Sequence, residues 1–173
     1  MIPISKNELG VLGFLIRNFS KRFTIRNIAS RLKISAPGAH SSLKKLESKG
    51  IVKAERLGTG LFYEVNLDNK IGGYLAAIVL LDYYEFKIDV KDIVTESKAA
   101  IFDGKNLFVV TNDGDKVKDI CYKTLKNVDV ICKNEEEFRL LLKDKDEETL
   151  EILEKGNVLF GEQLVIEVIR ELR

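Results

Sequence analysis

The sequence predicts an α+β protein built in two parts. Three short helices running into a β-hairpin fill residues 1–68, and a small α/β domain fills residues 69–173. Three observations carry this. Apolar residues recur at helical spacing behind good capping residues in the first part. Short β-rich runs alternate with helical ones in the second. The charge divides along the same line: residues 1–67 hold 12 Lys and Arg against 4 Glu, a net of +8, and residues 68–173 hold 16 against 23 Asp and Glu, a net of −7. A basic part joined to an acidic part points to a polyanion as the partner of the first.

Ser5 is placed to cap a first helix, with Glu8 as its capping-box partner. Leu9, Leu12 and Ile16 then form a stripe broadened by Val11 and Leu15, ending near Asn18. Thr24 caps a second helix, where Ile25, Ile28, Ala29 and Leu32 share one face, and Lys33-Ile34 makes a tight turn. Ser35 caps a third, with Pro37 in its first turn, Leu43 and Leu46 facing inward, and Gly50 as the stop. Ile51 to Ala54 and Leu61 to Val65 read as paired strands around a tip at Glu55 to Gly60.

The break at Asp68-Asn69-Lys70 marks the domain boundary. A helix from Ile71 to about Phe86 follows, apolar on most sides, with Tyr74, Leu75, Ile78, Leu81 and Tyr83 as its large residues. Core packing and a homodimer interface both fit it. Beyond lie strands at 99–102, 107–111 and 128–132, an extended piece at 157–161, and helices at 115–126, 135–142, 147–154 and 162–172.

The composition, 45% apolar and 32% charged, is that of a folded soluble protein. The most apolar segment is interrupted by Gly72, Gly73, Asp82 and Glu85, so no membrane span is expected. No signal pattern opens the chain, and the expected location is the cytoplasm. Cys121, Cys132 and His40 are too few for a structural zinc site, so no metal is expected, and the thiols are expected reduced.

The run Phe23 to Ser35 resembles the helix-two-and-turn signature of winged helix-turn-helix regulators, and Ser42 to Val52 resembles their recognition helix running into the wing. The similarity is to the multiple-antibiotic-resistance-regulator type and its archaeal relatives, over residues 5 to about 67. It implies a winged helix that binds double-stranded DNA. The N-terminal residues of a recognition helix meet base edges in the major groove. Here those are Ser35, Ala36, Pro37, Gly38, His40 and Ser41, small or polar and suited to close approach. Lys44 and Lys45 follow one turn later as phosphate contacts, with Arg56 at the wing tip and Lys21, Arg22 and Arg26 as clamps before and within helix two. His40 fits a base contact, a phosphate contact or a solvated side chain equally well.

The C-terminal part resembles the minimal nucleotidyltransferase domain in Val128 to Cys132, Glu135 to Phe138 and Ile152 to Glu162. That resemblance implies a nucleotide-binding turn with a Gly-Ser pair and three carboxylates for two metals. This sequence departs from it. The stretch 96–111 has no Gly-Ser pair, the strand 107–111 has no acid, and Asp129 alone sits where a third carboxylate would. Asn112-Asp113-Gly114-Asp115 reads as a turn and helix cap, with a replacement acidic pair as the alternative, and Glu135-Glu136-Glu137 reads as a first helical turn. No catalytic residues and no cofactor are expected, and a nucleotide or protein is a candidate partner of this domain. The expected function is a DNA-binding transcriptional regulator. A transferase that docks its substrate on the winged helix, and a protein-interaction module, stand as alternatives.

Overall fold

A computed structural model describes residues 3–81 and 88–173. The chain divides into two compact units, Met1–Val79 and Leu80–Arg173.

The first unit packs helices α1 (Lys6–Arg17), α2 (Ile25–Leu32) and α3 (Ala36–Ser48) against a hairpin of β1 (Val52–Leu57) and β2 (Gly60–Val65), followed by α4 (Lys70–Leu81). Each of the first three helices begins where a side chain satisfies an otherwise unpaired backbone N–H. Ser5 accepts from the amide of Glu8, Thr24 from that of Asn27, and Ser35 from that of Gly38. The core is aliphatic: Leu12, Ile16, Ile28, Leu43, Leu46 and Ile51 are fully buried.

Both strands of the hairpin run longer than the sequence pattern suggested. Glu55, Arg56 and Leu57 are strand residues, and Leu57 pairs directly with Gly60. The tip shrinks to Gly58-Thr59, with Gly58 at φ +58°, as a two-residue hairpin turn requires.

The division falls after α4's first ten residues, whereas the sequence pattern broke at Asp68 to Lys70. Two contacts explain why α4 stays with the first unit. The Arg17 guanidinium donates to the carbonyl of Val79 at 2.9 Å. A Cβ on Gly72 would stand 2.4 Å from the Asn66 carbonyl oxygen, so only glycine permits this approach. The helix is also less buried than its composition implies. Its buried residues are mostly small, Gly72, Gly73, Ala76 and Ala77, with Val79 and the fully buried Leu80 towards its end. The larger Ile71, Tyr74, Ile78 and Leu81 are left exposed, Tyr74 at 62%. Tyr83 and the expected helix end at Phe86 lie outside the described residues.

The second unit is a mixed four-stranded sheet in the order β5-β4-β3-β6. Its strands are β3 (Ala99–Phe102), β4 (Asn106–Val110), β5 (Asp129–Lys133) and β6 (Asn157–Phe160). Strands β4 and β5 are parallel, joined through α6 (Gly114–Thr124); the other pairs are antiparallel. A short helix α5 (Lys91–Val94) and α6 cover one face, where Ile93, Val117 and Cys121 pack on Ala100, Phe102, Leu107 and Val109. Helices α7 (Glu135–Lys143), α8 (Glu147–Lys155) and α9 (Glu162–Glu171) line the other. There Phe138 is fully buried, its ring centroid 5.6 Å from that of Phe108. Helix α5 is one turn long, too short for its apolar spacing to register in the sequence.

Both cysteines are free. Burial pushes both thiols up, that of Cys132 to about 11, so neither is a ready thiolate at neutral pH. Among the described residues no helix is long and apolar enough to cross a membrane.

Candidate nucleic-acid interface

The turn from α2 into α3 fixes how α3 is presented. Thr24 and Asn27 form a reciprocal capping box at the start of α2, and the preceding Phe23 bridges to Tyr63 of β2. Helix α2 ends on Lys33 in the left-handed region at φ 53°, its N–H returning to Ala29 and Ser30. The chain leaves this turn at Ile34, and α3 opens immediately at the Ser35 cap.

Helix α3 then has two distinct sides. Ala39, Ser42, Leu43 and Leu46 are buried. Ala36, Pro37, His40, Ser41 and Lys44 are exposed, and their spacing of three and four residues puts them on one face. The structure therefore brings together five of the sequence-derived contact residues as a single surface. It is small at its N-terminal end and basic one turn on.

Gly38 and Ser35 have a different local role. The Ser35 hydroxyl accepts the Gly38 amide at 3.1 Å, and a Cβ on Gly38 would come 3.0 Å from that same oxygen. Gly38 is half-buried, and its lack of a side chain keeps the cap close.

Lys45 diverges from Lys44. Its ammonium lies 4.0 Å from the carboxylate of Glu8, which Lys49 also pairs at 3.2 Å. Glu8 is 3% exposed, and its Oε1, the oxygen that Lys45 approaches, also accepts the Ser5 hydroxyl at 3.1 Å. A buried carboxylate needs such partners, because leaving it unpaired costs several kcal/mol. Sequence reading assigned Glu8 to the α1 capping box and missed its second role, which joins the start of α1 to the end of α3. Only the tertiary approach of two lysines 37 and 41 residues away reveals it.

Arg56 is exposed on β1, paired with Leu61 two residues before the turn rather than at the tip itself. Arg22, expected as a backbone clamp, instead forms an ion pair with Glu55 of the wing at 3.0 Å. Arg26 is exposed on the first turn of α2. Among the described residues, Arg26, Lys44 and Arg56 have no acidic partner, and neither do Lys6, Arg31 and Lys33, so half of the twelve cations of the +8 region lack intramolecular neutralisation.

Three helices, a tight α2–α3 turn and a two-stranded wing are the parts of a winged helix-turn-helix. Residues 2–60, about a third of the chain, match the model described as the MarR family. A search of the curated proteins returns no match. Among solved structures, a point mutant of Lactococcus lactis ZitR is 20% identical, with a TM-score of 0.37 over 43% of this chain and 49% of that one. The homodimeric winged helix-turn-helix DNA-binding domain of Mb0332 from Mycobacterium bovis is 25% identical, with a TM-score of 0.37 over 43% of this chain and 65% of that one. This chain thus spans about half of the first of these proteins and under two thirds of the second. The N-terminal part of this protein is thus a winged helix-turn-helix domain whose residues 2–60 match the MarR-family model.

Proposed function

We propose that this protein is a transcriptional regulator that reads double-stranded DNA with α3. The observation that carries the reading is the uncovered face of that helix. Small residues at its N-terminal end permit close approach to base edges, and unpaired Lys44 follows one turn on. Ala36, Pro37, His40 and Ser41 are assigned to the groove, and Lys44, Arg26 and Arg56 to phosphates. Ser35 and Gly38 set the helix start, whose backbone amides suit a phosphate. Lys45 contributes less, since Glu8 already draws on its charge. The test is fluorescence anisotropy of the full chain on duplex from upstream of its own gene, beside a scrambled duplex, across a range of salt. Binding to the upstream duplex alone, weakening steeply with salt, is the expected result. Equal weak binding to both would move the winged helix to a general docking role.

The working unit in this reading is a homodimer formed through α4. Ile71, Tyr74, Ile78 and Leu81 are exposed at helical spacing on a helix whose one charged residue is Lys70. A second copy of the chain would cover that stripe and set two recognition helices about 34 Å apart on a pseudo-palindromic site. Sedimentation of Ile78→Glu is expected to show a monomer where the parent chain is a dimer; unchanged sedimentation would remove α4 from the interface.

The C-terminal unit is assigned a sensing role without transferase chemistry. Its likeness to nucleotidyltransferases rests on three sequence runs, and the residues that would serve catalysis are otherwise engaged. Asp129 is exposed at the start of β5 and paired with Lys105 at 3.3 Å. Asp113 caps α6 by accepting the Lys116 amide.

A further inference from the structure

The C-terminal unit holds a cavity of about 230 Å³ between its sheet and helices α7 and α8. Its apolar surface comes from Phe108 of β4, Ile131 of β5, Leu141 of α7 and Ile152 of α8. Its polar residues carry both signs: Lys133 at the end of β5, and Asp146 and Glu148 where α8 begins.

The local bonding leaves the charged groups able to take a ligand. Asp146 caps α8 through one oxygen, Oδ2, which accepts the Thr149 amide at 2.9 Å and the Thr149 hydroxyl at 2.7 Å. Its Oδ1 has no donor among the described residues. The Thr149 bonds, helped by the charge of Lys133, hold the Asp146 carboxyl below the usual carboxylate range, so it is ionised at neutral pH. The Lys133 ammonium has Glu137 at 3.8 Å, beyond hydrogen-bond distance; unlike the buried Glu8, Glu137 is exposed and its charge is screened by water, so the Lys133 donors remain unused.

Size and charge together select a ligand class. At about 30 Å³ per water, the space takes about eight water-sized groups, which fits a medium amino acid. A simple carboxylate would find Lys133 but face two acids. A simple amine would find the acids but leave Lys133 opposed. A molecule carrying both charges on one carbon, with an apolar tail, satisfies all of them.

We propose that this cavity binds a small apolar α-amino acid as its zwitterion, with the carboxylate on Lys133, the ammonium on Asp146 Oδ1 and Glu148, and the side chain over Phe108 and Ile131. This names a ligand class for the sensing role proposed above. It rests on that reading for its purpose, but the binding itself does not involve DNA.

The test is calorimetric titration of the full chain, without DNA, with L-leucine, and separately with 4-methylpentanoate and isoamylamine, which keep the tail, the α-carbon and one charge each. Saturable one-to-one binding of L-leucine is expected, with both single-charge probes weaker by about tenfold or more, the loss of one charge-assisted contact. Lys133→Met and Asp146→Asn, the latter retaining an N-cap oxygen, are expected to weaken L-leucine by a similar factor. Absence of saturable binding up to about 10 mM would overturn the proposal, as would 4-methylpentanoate or isoamylamine binding as well as L-leucine. Unchanged affinity in both variants would overturn it too. If a variant fails to fold, the probe comparison on the parent chain decides. Duplex binding, measured on the same sample by anisotropy, fails or survives separately from this result.

Discussion

Replacing Lys44 and Arg56 together by alanine is expected to weaken binding to any duplex by about 10- to 100-fold and to shallow the dependence of log K on log salt by about two. The two side chains are exposed on different elements, α3 and β1, and neither has an acidic partner among the described residues. In the proposed complex each therefore brings its whole charge to a phosphate, and each such contact contributes close to one to the slope. Lys45→Ala serves as the internal comparison. Its ammonium stands 4.0 Å from buried Glu8, so part of its charge is already spent inside the protein, and its effect on the slope should be smaller. Anisotropy at four or five salt concentrations reads both quantities. A double variant with an unchanged slope would take these residues out of the interface, and a Lys45 effect as large as that of Lys44 would show that Glu8 does not hold it in the complex.

Phe138→Ala is expected to destabilise the C-terminal unit by about 3–5 kcal/mol. Phe138 is fully buried on α7, and its ring lies tilted against Phe108, so truncation leaves a void in the layer between the sheet and α7 to α9. Neighbours would not readily fill it. Asn134 and Glu137 form a capping box that fixes the start of α7, and Glu135 pairs with both Lys98 and Arg139. Those bonds hold the Glu135 carboxyl below its ordinary value. Their contribution is therefore present above the unfolded carboxylate pKa and is lost as the pH falls through the lower folded value. By calorimetry, the transition of this unit should drop by at least about 15 °C in the variant. A drop of only a degree or two would show that the layer repacks around the missing ring.

The sequence by itself determined much of this protein, because the signals concerned are local. Hydroxyls at Ser5, Thr24 and Ser35 sit three residues before the amides they cap, so helix starts are legible within a few positions. Period-two and period-3.6 spacing placed every strand of the second unit and four of its helices, as at Asp129–Lys133 and Glu162–Glu171. Asp113 as a helix cap was readable for the same reason. The exposed line of Ala36, Pro37, His40, Ser41 and Lys44 followed from one helix with a known inner face.

What the tertiary structure alone decided depends on residues far apart in the chain. Glu8 meets Lys49 across 41 positions, and Arg22, in the connector before α2, meets Glu55 of the wing. No periodicity encodes such pairs, yet they separate Lys44 from Lys45 and remove Arg22 from the free cations. The membership of α4 was hidden likewise. Its composition is apolar all round, and only the approach of Gly72 to Asn66 and of Arg17 to Val79 selects the small-residue side for packing. The cavity beside Phe108 had no sequence signal at all, since strands β4 and β5 and helices α7 and α8 each contribute only one or a few of its residues. Local backbone preferences are written in neighbouring residues, whereas a surface's charge and a cavity's lining are set by which distant side chains the fold brings within bonding distance.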